Sequence, residues 1–181
     1  VYDLTMYPTR FDAWASMSLC KQSKLEKRLN AFETIDVKNF LEFADQAINC
    51  FNQCLALKKT STIVTEFASF TYHLHSFCSK SLKQASENMS MENFAAIEER
   101  KDKFLDISLK CFTDVSQAIT DPTHELNLSK NQEDSDDNHD EKWLYYFMLG
   151  KISEKKKEPP INYLNHYLKS AKYLYEDNAT Y

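Results

Sequence analysis

Glycine and proline are scarce in this sequence of 181 residues, which contains one glycine and four prolines. Tight turns between strands usually need glycine or proline, so β-sandwiches, β-barrels and β-propellers are nearly excluded. Loops that cradle phosphate also need several glycines, because the backbone must approach the ligand closely. With Gly150 alone, the sequence excludes a P-loop, a dinucleotide-binding fingerprint and a kinase glycine-rich loop.

Long apolar runs are also missing. The longest one, 143–149, is seven residues long, whereas a membrane-spanning helix needs about 20. We therefore expect no association with a membrane. No signal-peptide pattern is present and the sequence begins with Val1 rather than methionine, so we expect a section of a larger protein.

The net charge of −5 is concentrated in one segment. Residues 120–142 contain eight acidic side chains and two lysines, which leaves the rest of the chain close to neutral. Like charges and few apolar side chains predict a mobile acidic loop over about 121–140. A nearly neutral body lacks the basic face of a DNA-binding domain, so we expect no direct sequence-specific contact with nucleic acid.

The apolar fraction of 43%, with 12 Phe, 10 Tyr and 2 Trp, is sufficient for a buried core. Helical periodicity marks most of the chain, and Ser90 and Pro160 are suited to the starts of two helices. The apolar stripe of the last helix comprises Tyr163, Leu164, Tyr167, Ala171 and Leu174. The sequence therefore predicts an all-α fold with six helices, over about 10–29, 37–58, 61–84, 90–119, 141–156 and 160–175.

The helices also carry a repeated motif. The spacing of Tyr146, Leu149 and Gly150 matches the first helix of a tetratricopeptide repeat, with the only glycine at the motif's glycine position. Similar matches predict three helical hairpins, over about 9–58, 61–119 and 141–176, stacked as a section of an α-solenoid. A generic all-α bundle with aromatic stripes is the alternative. The side chains predicted to pack the repeats are Pro8, Trp14, Ala47, Phe51, Phe67, Ala68, Phe112, Tyr146, Leu149, Gly150 and Tyr167.

The reactive side chains do not form a recognisable active site. The five cysteines are odd in number and without C-x-x-C spacing, so we expect buried, reduced thiols. His75 and Cys78 share a helix face and suit zinc or a nucleophilic pair, but further ligands and an oxyanion-forming turn are absent nearby. We therefore assign no catalytic, metal-binding or cofactor-binding residue.

Two charged runs have simple explanations. Asp134, Asp136 and Asn138 are spaced as in a calcium-binding EF-hand, but His139 and Tyr145 occupy the positions that require glycine and glutamate. Three consecutive lysines, 155–157, are typical of a solvated helix end, where cations complement the helix dipole. A nuclear-localisation signal or a phosphate contact is the alternative for these lysines.

Seven short stretches together point to a specific family. They are YPTRFDAWA (7–15), YHLHSF (72–77), LKQ (82–84), CFT (111–113), WxxYxMLGK (143–151), PP (159–160) and YLxHY (163–167). Their order resembles the Cabin family of calcineurin-binding proteins, the large tetratricopeptide scaffold subunit of the HIRA histone chaperone complex. The resemblance covers nearly the whole chain, from about Tyr7 to Tyr181.

The resemblance implies a nuclear scaffold without catalytic activity. It further implies that the chain contacts the HIRA subunit and supports replication-independent nucleosome assembly and transcriptional regulation. No P-x-I-x-I-T docking motif is present, so calcineurin binding is not assigned to this section. The acidic loop matches no motif of the family; histone contact is one possible role and a solvated connector is the other.

Two other functions stay open, and the sequence does not identify the partner-binding residues. A generic tetratricopeptide adaptor of another complex would use an extended groove lined by the first helix of each repeat. An all-α enzyme would instead need a deep pocket around His75 and Cys78.

Overall fold

The computed structural model describes residues 5–30, 36–84, 89–120 and 142–176. These residues form no strand, and their six helices of 14 residues or more confirm the predicted all-α class. Neighbouring helices pack as hairpins, an arrangement consistent with an α-solenoid-like fold. The helices are α1 (Phe11–Asn30), α2 (Val37–Leu57), α3 (Ser61–Gln84), α4 (Met91–Thr120), α5 (Lys142–Lys155) and α6 (Pro160–Glu176). The predicted acidic loop, 121–140, lies outside the described residues.

Side-chain caps explain where several helices begin. Asp36 precedes α2, and its Oδ2 accepts a hydrogen bond from the backbone N–H of Asn39 at 3.3 Å. Ser90 caps α4 as the sequence predicts, since its Oγ accepts from the N–H of Asn93 at 3.2 Å. Pro160 is the first residue of α6, where its missing N–H has no consequence.

The chain divides into two compact units, Val1–Ser108 and Leu109–Tyr181, and the division falls within α4. The core of the first unit is built on aromatic side chains. The ring of Phe51 stacks on Phe67 with centroids 4.9 Å apart and lies 5.8 Å from Phe70. Phe40 and Phe77 form a second pair at 4.7 Å. These contacts join α2 to α3 through side chains that are all buried except the half-buried Phe77.

Hydrogen bonds fix the N-terminal part of α4 to α3. The Ser108 hydroxyl, which is fully buried, donates to the carbonyl of Ala68 at 2.9 Å. Because Ala68 has only a methyl side chain, α4 can approach the backbone of α3 closely enough for this bond. Arg100 of α4 also forms an ion pair with Asp45 of α2. Two helices of the first unit, α2 and α3, are thereby connected to α4.

The α5–α6 hairpin dominates the second unit. Its turn is a Schellman motif, with the N–H of Glu158 bonded to the Ser153 carbonyl and that of Lys157 to the Glu154 carbonyl. Lys157 has a φ of 56° in the left-handed region, which this motif requires of the residue after the helix. The chain then reverses directly into α6.

Gly150 lies at a close approach of the two helices of this hairpin. A Cβ atom placed on Gly150 would lie 2.6 and 2.7 Å from Cε1 and Cδ1 of Tyr167. The ring of Tyr167 therefore occupies the space that any larger residue at 150 would need. Nearby, the Ser170 hydroxyl donates to the Trp143 carbonyl at 2.8 Å, and Tyr146 stacks on Tyr173 at 5.4 Å.

Candidate protein-binding surfaces

Most of the side chains predicted to pack the repeats are buried. Those at most 6% exposed are Ala47, Phe51, Phe67, Ala68, Phe112, Tyr146 and Leu149, and Gly150 is buried as well. Pro8 is exposed, while Trp14 and Tyr167 are half-buried because each sends its polar atom to the surface. Trp14 Nε1 donates to the Pro8 carbonyl at 2.8 Å, and the Tyr167 hydroxyl donates to Glu154 at 3.0 Å. Burial alone does not define a repeat, so the repeat boundaries stay a prediction.

His75 and Cys78 are both buried in the first unit. The ring nitrogens of His75 lie 3.0 Å from the Lys101 carbonyl and 3.3 Å from the Ser79 hydroxyl. Burial raises the pKa of the Cys78 thiol to about 12, so this thiol stays protonated at neutral pH. A nucleophile or a zinc ligand needs the thiolate, so the geometry of this pair favours a packing role.

The described residues provide no alternative metal site or membrane segment. Within them, no group of three or more His, Cys, Asp or Glu side chains is placed to hold a metal ion. The EF-hand-like run from Asp134 to Asn138 lies outside these ranges. None of the helices that the structure describes is long and apolar enough to cross a bilayer.

A groove of about 430 Å³ opens in the first unit between α1 and α2. Its floor combines the buried Leu25 with the half-buried Met17, and Phe43 lies at its edge with 38% of its surface exposed. Cys20 and four basic side chains complete the lining: Lys21, Lys24, Lys27 and Arg28. The groove is therefore an apolar depression surrounded by positive charge.

The cations reach one groove because their spacing along α1 follows the helical repeat. Lys21, Lys24 and Arg28 are three and four residues apart, which places them on one side of the helix. The guanidinium of Arg28 lies 4.6 Å from the centroid of the Phe43 ring, a cation–π contact across the groove. Lys21 Nζ donates to Oε1 of Gln46 at 2.8 Å, which also ties α1 to α2.

Cys20 provides a chemical probe of this groove, because it is exposed whereas the other four cysteines are buried. Burial also raises the pKa of Cys50 and Cys54, which lowers their thiolate fraction. We expect native protein treated with iodoacetamide to gain one adduct rapidly, at Cys20. In denaturant without reductant it should gain five. Mass spectrometry counts the adducts under both conditions, and peptide mapping locates them. Rapid labelling of a second cysteine in the native protein would contradict the structure, and so would fewer than five adducts in denaturant.

The second unit has an exposed apolar surface on α6. Four large apolar side chains of this helix are 54–86% exposed, and Ala171 lies exposed among them. They are spaced alternately three and four residues apart, as in the a and d positions of a coiled coil. We call this surface the α6 seam, and it consists of Ile161, Leu164, Leu168, Ala171 and Tyr175.

The opposite side of α6 is already packed against α5. Tyr173 and His166 both stack on Tyr146, with centroids 5.4 and 6.5 Å away. Burial, and secondarily the nearby Lys169, lowers the pKa of His166 and favours its neutral form. The hairpin is therefore held by the face of α6 that lies opposite the α6 seam.

Sequence reasoning did not separate these two faces. It grouped Leu164 and Ala171 with Tyr163, Tyr167 and Leu174 in one stripe, and the structure corrects this because Leu164 is 54% exposed. No protein-family model and no solved structure matches this chain. The family resemblance drawn from the sequence therefore stays a prediction.

Proposed function

We propose that this chain is a scaffold section without catalytic activity, and that it binds a helix of a protein partner along the α6 seam. The observation that carries the proposal is the exposure of Ile161, Leu164, Leu168 and Tyr175, at 63, 54, 70 and 86%. Contiguous apolar side chains of this size are rarely left in water on a monomer, whereas single ones are common. Their shared face marks an interaction surface.

The spacing of the α6 seam indicates the kind of occupant. Side chains at a and d positions insert between those of a facing helix, so a helix with its own apolar stripe is the complementary shape. Ala171 leaves room in the middle of the seam for a large side chain of that partner. The 17-residue length of α6 offers nearly five turns for such a contact.

The resemblance to the Cabin family supports a more specific form of this proposal. In that form, the chain is a section of a nuclear scaffold of the HIRA histone chaperone complex, and its partner is the HIRA subunit or another member of the complex. Its contribution to replication-independent nucleosome assembly and transcriptional regulation is then the positioning of other subunits. A generic tetratricopeptide adaptor of another complex is the alternative. In place of the groove lined by first helices that the sequence predicts for such an adaptor, we propose the α6 seam as its binding surface.

The test replaces the apolar side chains of the α6 seam. The variant carries Leu164→Ser and Leu168→Ser, and the matched control carries Leu19→Ser and Leu57→Ser, which remove two leucines that are 39 and 41% exposed from α1 and α2. Binding of purified HIRA subunit to each protein is measured by biolayer interferometry. We expect the α6 variant to bind at least about thirtyfold more weakly, since truncating two central anchors costs more than about 1 kcal/mol each, and the control to bind like wild type.

Two results would count against the proposal in different ways. If wild-type protein does not bind any purified subunit of the HIRA complex, the family assignment is wrong. Pull-downs from nuclear extract with all three proteins then test the coarser claim. If no partner is lost selectively with the α6 variant, the seam is not a binding surface.

A further inference from the structure

We infer that the α1–α2 groove is a second binding site, for a short acidic segment of a partner protein that carries a large apolar anchor. This inference does not depend on the α6 seam, because the groove lies within the first unit and has different chemistry. The anchor side chain would contact the apolar floor, while carboxylates on either side of it would meet the surrounding cations. The inference therefore specifies both parts of the ligand.

The floor of the groove selects an apolar side chain. Leu25 is 2% exposed and closes the base, whereas Phe43 retains 38% exposure at the edge. Together with Met17 they form a concave apolar surface of the kind that anchor residues fill at protein interfaces. Since the depression holds about 430 Å³, a leucine or an aromatic ring has room to enter.

The positive charge around the groove favours a ligand with acidic side chains next to its apolar anchor. Four of its eight lining side chains are basic and none is acidic. The acid of α1 in this region, Glu26, contacts the ring of His73 on α3 at 3.2 Å instead. Gln46 accepts from Lys21 and donates to Glu42 at 3.2 Å, and Glu42 itself does not line the groove. A ligand with two or more carboxylates therefore complements the potential of the groove.

The same features favour a protein segment over a nucleic acid. A single-stranded nucleic acid binds through phosphate contacts and through bases stacked on open aromatic faces. One face of the Phe43 ring is covered by the guanidinium of Arg28 at 4.6 Å, and the floor below is aliphatic. An acidic peptide with a leucine or tryptophan uses both the floor and the cations.

The experiment uses a short fluorescent peptide in which a tryptophan and a leucine, one helical turn apart, are surrounded by glutamates. Fluorescence anisotropy gives its affinity for the whole chain. A second peptide has serine in place of both apolar residues and keeps every glutamate. Because Cys20 lines the groove and is exposed, the rate of its alkylation reports independently whether the peptide occupies this site.

Two variants, each with a matched control, test separately how the cations and the apolar surface of the groove contribute to peptide binding. Lys24→Glu with Lys27→Glu reverses two exposed cations of the groove, and Lys155→Glu with Lys156→Glu makes the same change in charge at the end of α5. Phe43→Ser removes the apolar edge, and Leu57→Ser removes a side chain of similar exposure, 41%, from the same helix. Circular dichroism melts confirm that each variant is folded.

We expect the apolar acidic peptide to bind and to slow the alkylation of Cys20. The Lys24→Glu, Lys27→Glu variant and the Phe43→Ser variant should each weaken binding about tenfold, whereas both controls should match wild type. Added salt should weaken the wild-type complex, because the cations lie near the surface where screening is effective.

Several results would overturn the inference. One is equal binding of the serine-substituted peptide or of a single-stranded DNA oligonucleotide, since the groove would then be a general polyanion surface. Another is peptide binding without protection of Cys20, which would place the peptide elsewhere. Equal losses in a groove variant and its control, or no binding of the peptide at millimolar protein, would also refute it. None of these results bears on binding at the α6 seam.

Discussion

Phe51→Ala should lower the free energy of unfolding of the first unit by about 3–5 kcal/mol, the largest effect that we expect from a single substitution. The Phe51 side chain is 0% exposed, and its ring contacts both Phe67 and Phe70 of α3. Truncation removes the apolar contacts and leaves a cavity between α2 and α3. A close-packed interior relaxes only partly into such a cavity, so the cost exceeds the transfer free energy of the lost atoms.

Each unit contains one of the two tryptophans, which makes the measurement specific. Trp14 belongs to the first unit and Trp143 to the second. In a Trp143→Phe background, urea unfolding followed by tryptophan fluorescence reports on the first unit alone. The matched control is Phe43→Ala, the same change on the same helix at a side chain that is 38% exposed, where we expect a loss below about 1 kcal/mol. Equal losses in the two variants would contradict the described core.

The helices could be predicted from the sequence because their signals are local. Apolar periodicity, the cap at Ser90 and the proline at 160 all act within a few residues, and the observed boundaries differ from the predicted ones by at most one residue. Asp36 caps α2 by the same local chemistry. Local signals of this kind need no knowledge of the neighbouring helices.

The binding surfaces could not be predicted in the same way, because they depend on which face of a helix meets a neighbour. α6 has apolar side chains on two sides, so periodicity alone grouped the exposed Leu164 with the half-buried Tyr167. The basic stripe of α1 resembles an ordinary solvated face until Phe43 of α2 is placed beside Arg28. That pairing depends on the packing of α1 against α2, which no local pattern encodes.

Gly150→Leu should destabilise the second unit by about 1–3 kcal/mol through overpacking. Even the first side-chain atom would lie 2.6 Å from Cε1 of Tyr167, well inside van der Waals contact. The Tyr167 ring has little freedom to move away. Its hydroxyl is bonded to Glu154, and the rings of Phe147 and Tyr163 lie 5.9 and 6.4 Å from it. Relief of the clash therefore requires α5 and α6 to separate or the Tyr167 side chain to leave its place.

A double-mutant cycle with Tyr167→Ala identifies the clash as the cause. Unfolding is followed by the fluorescence of Trp143 in a Trp14→Phe background, so that the signal comes from the second unit. In the Tyr167→Ala background the space beside Gly150 is open, and leucine has a better helix propensity than glycine by roughly 0.8 kcal/mol. Gly150→Leu should then be neutral or stabilising, with a coupling energy of at least about 1 kcal/mol between the two sites. If Gly150→Leu lowers the free energy of unfolding equally with and without the Tyr167 ring, the hairpin is not closely packed at Gly150. Packing against Tyr167 then does not explain why glycine occupies this position.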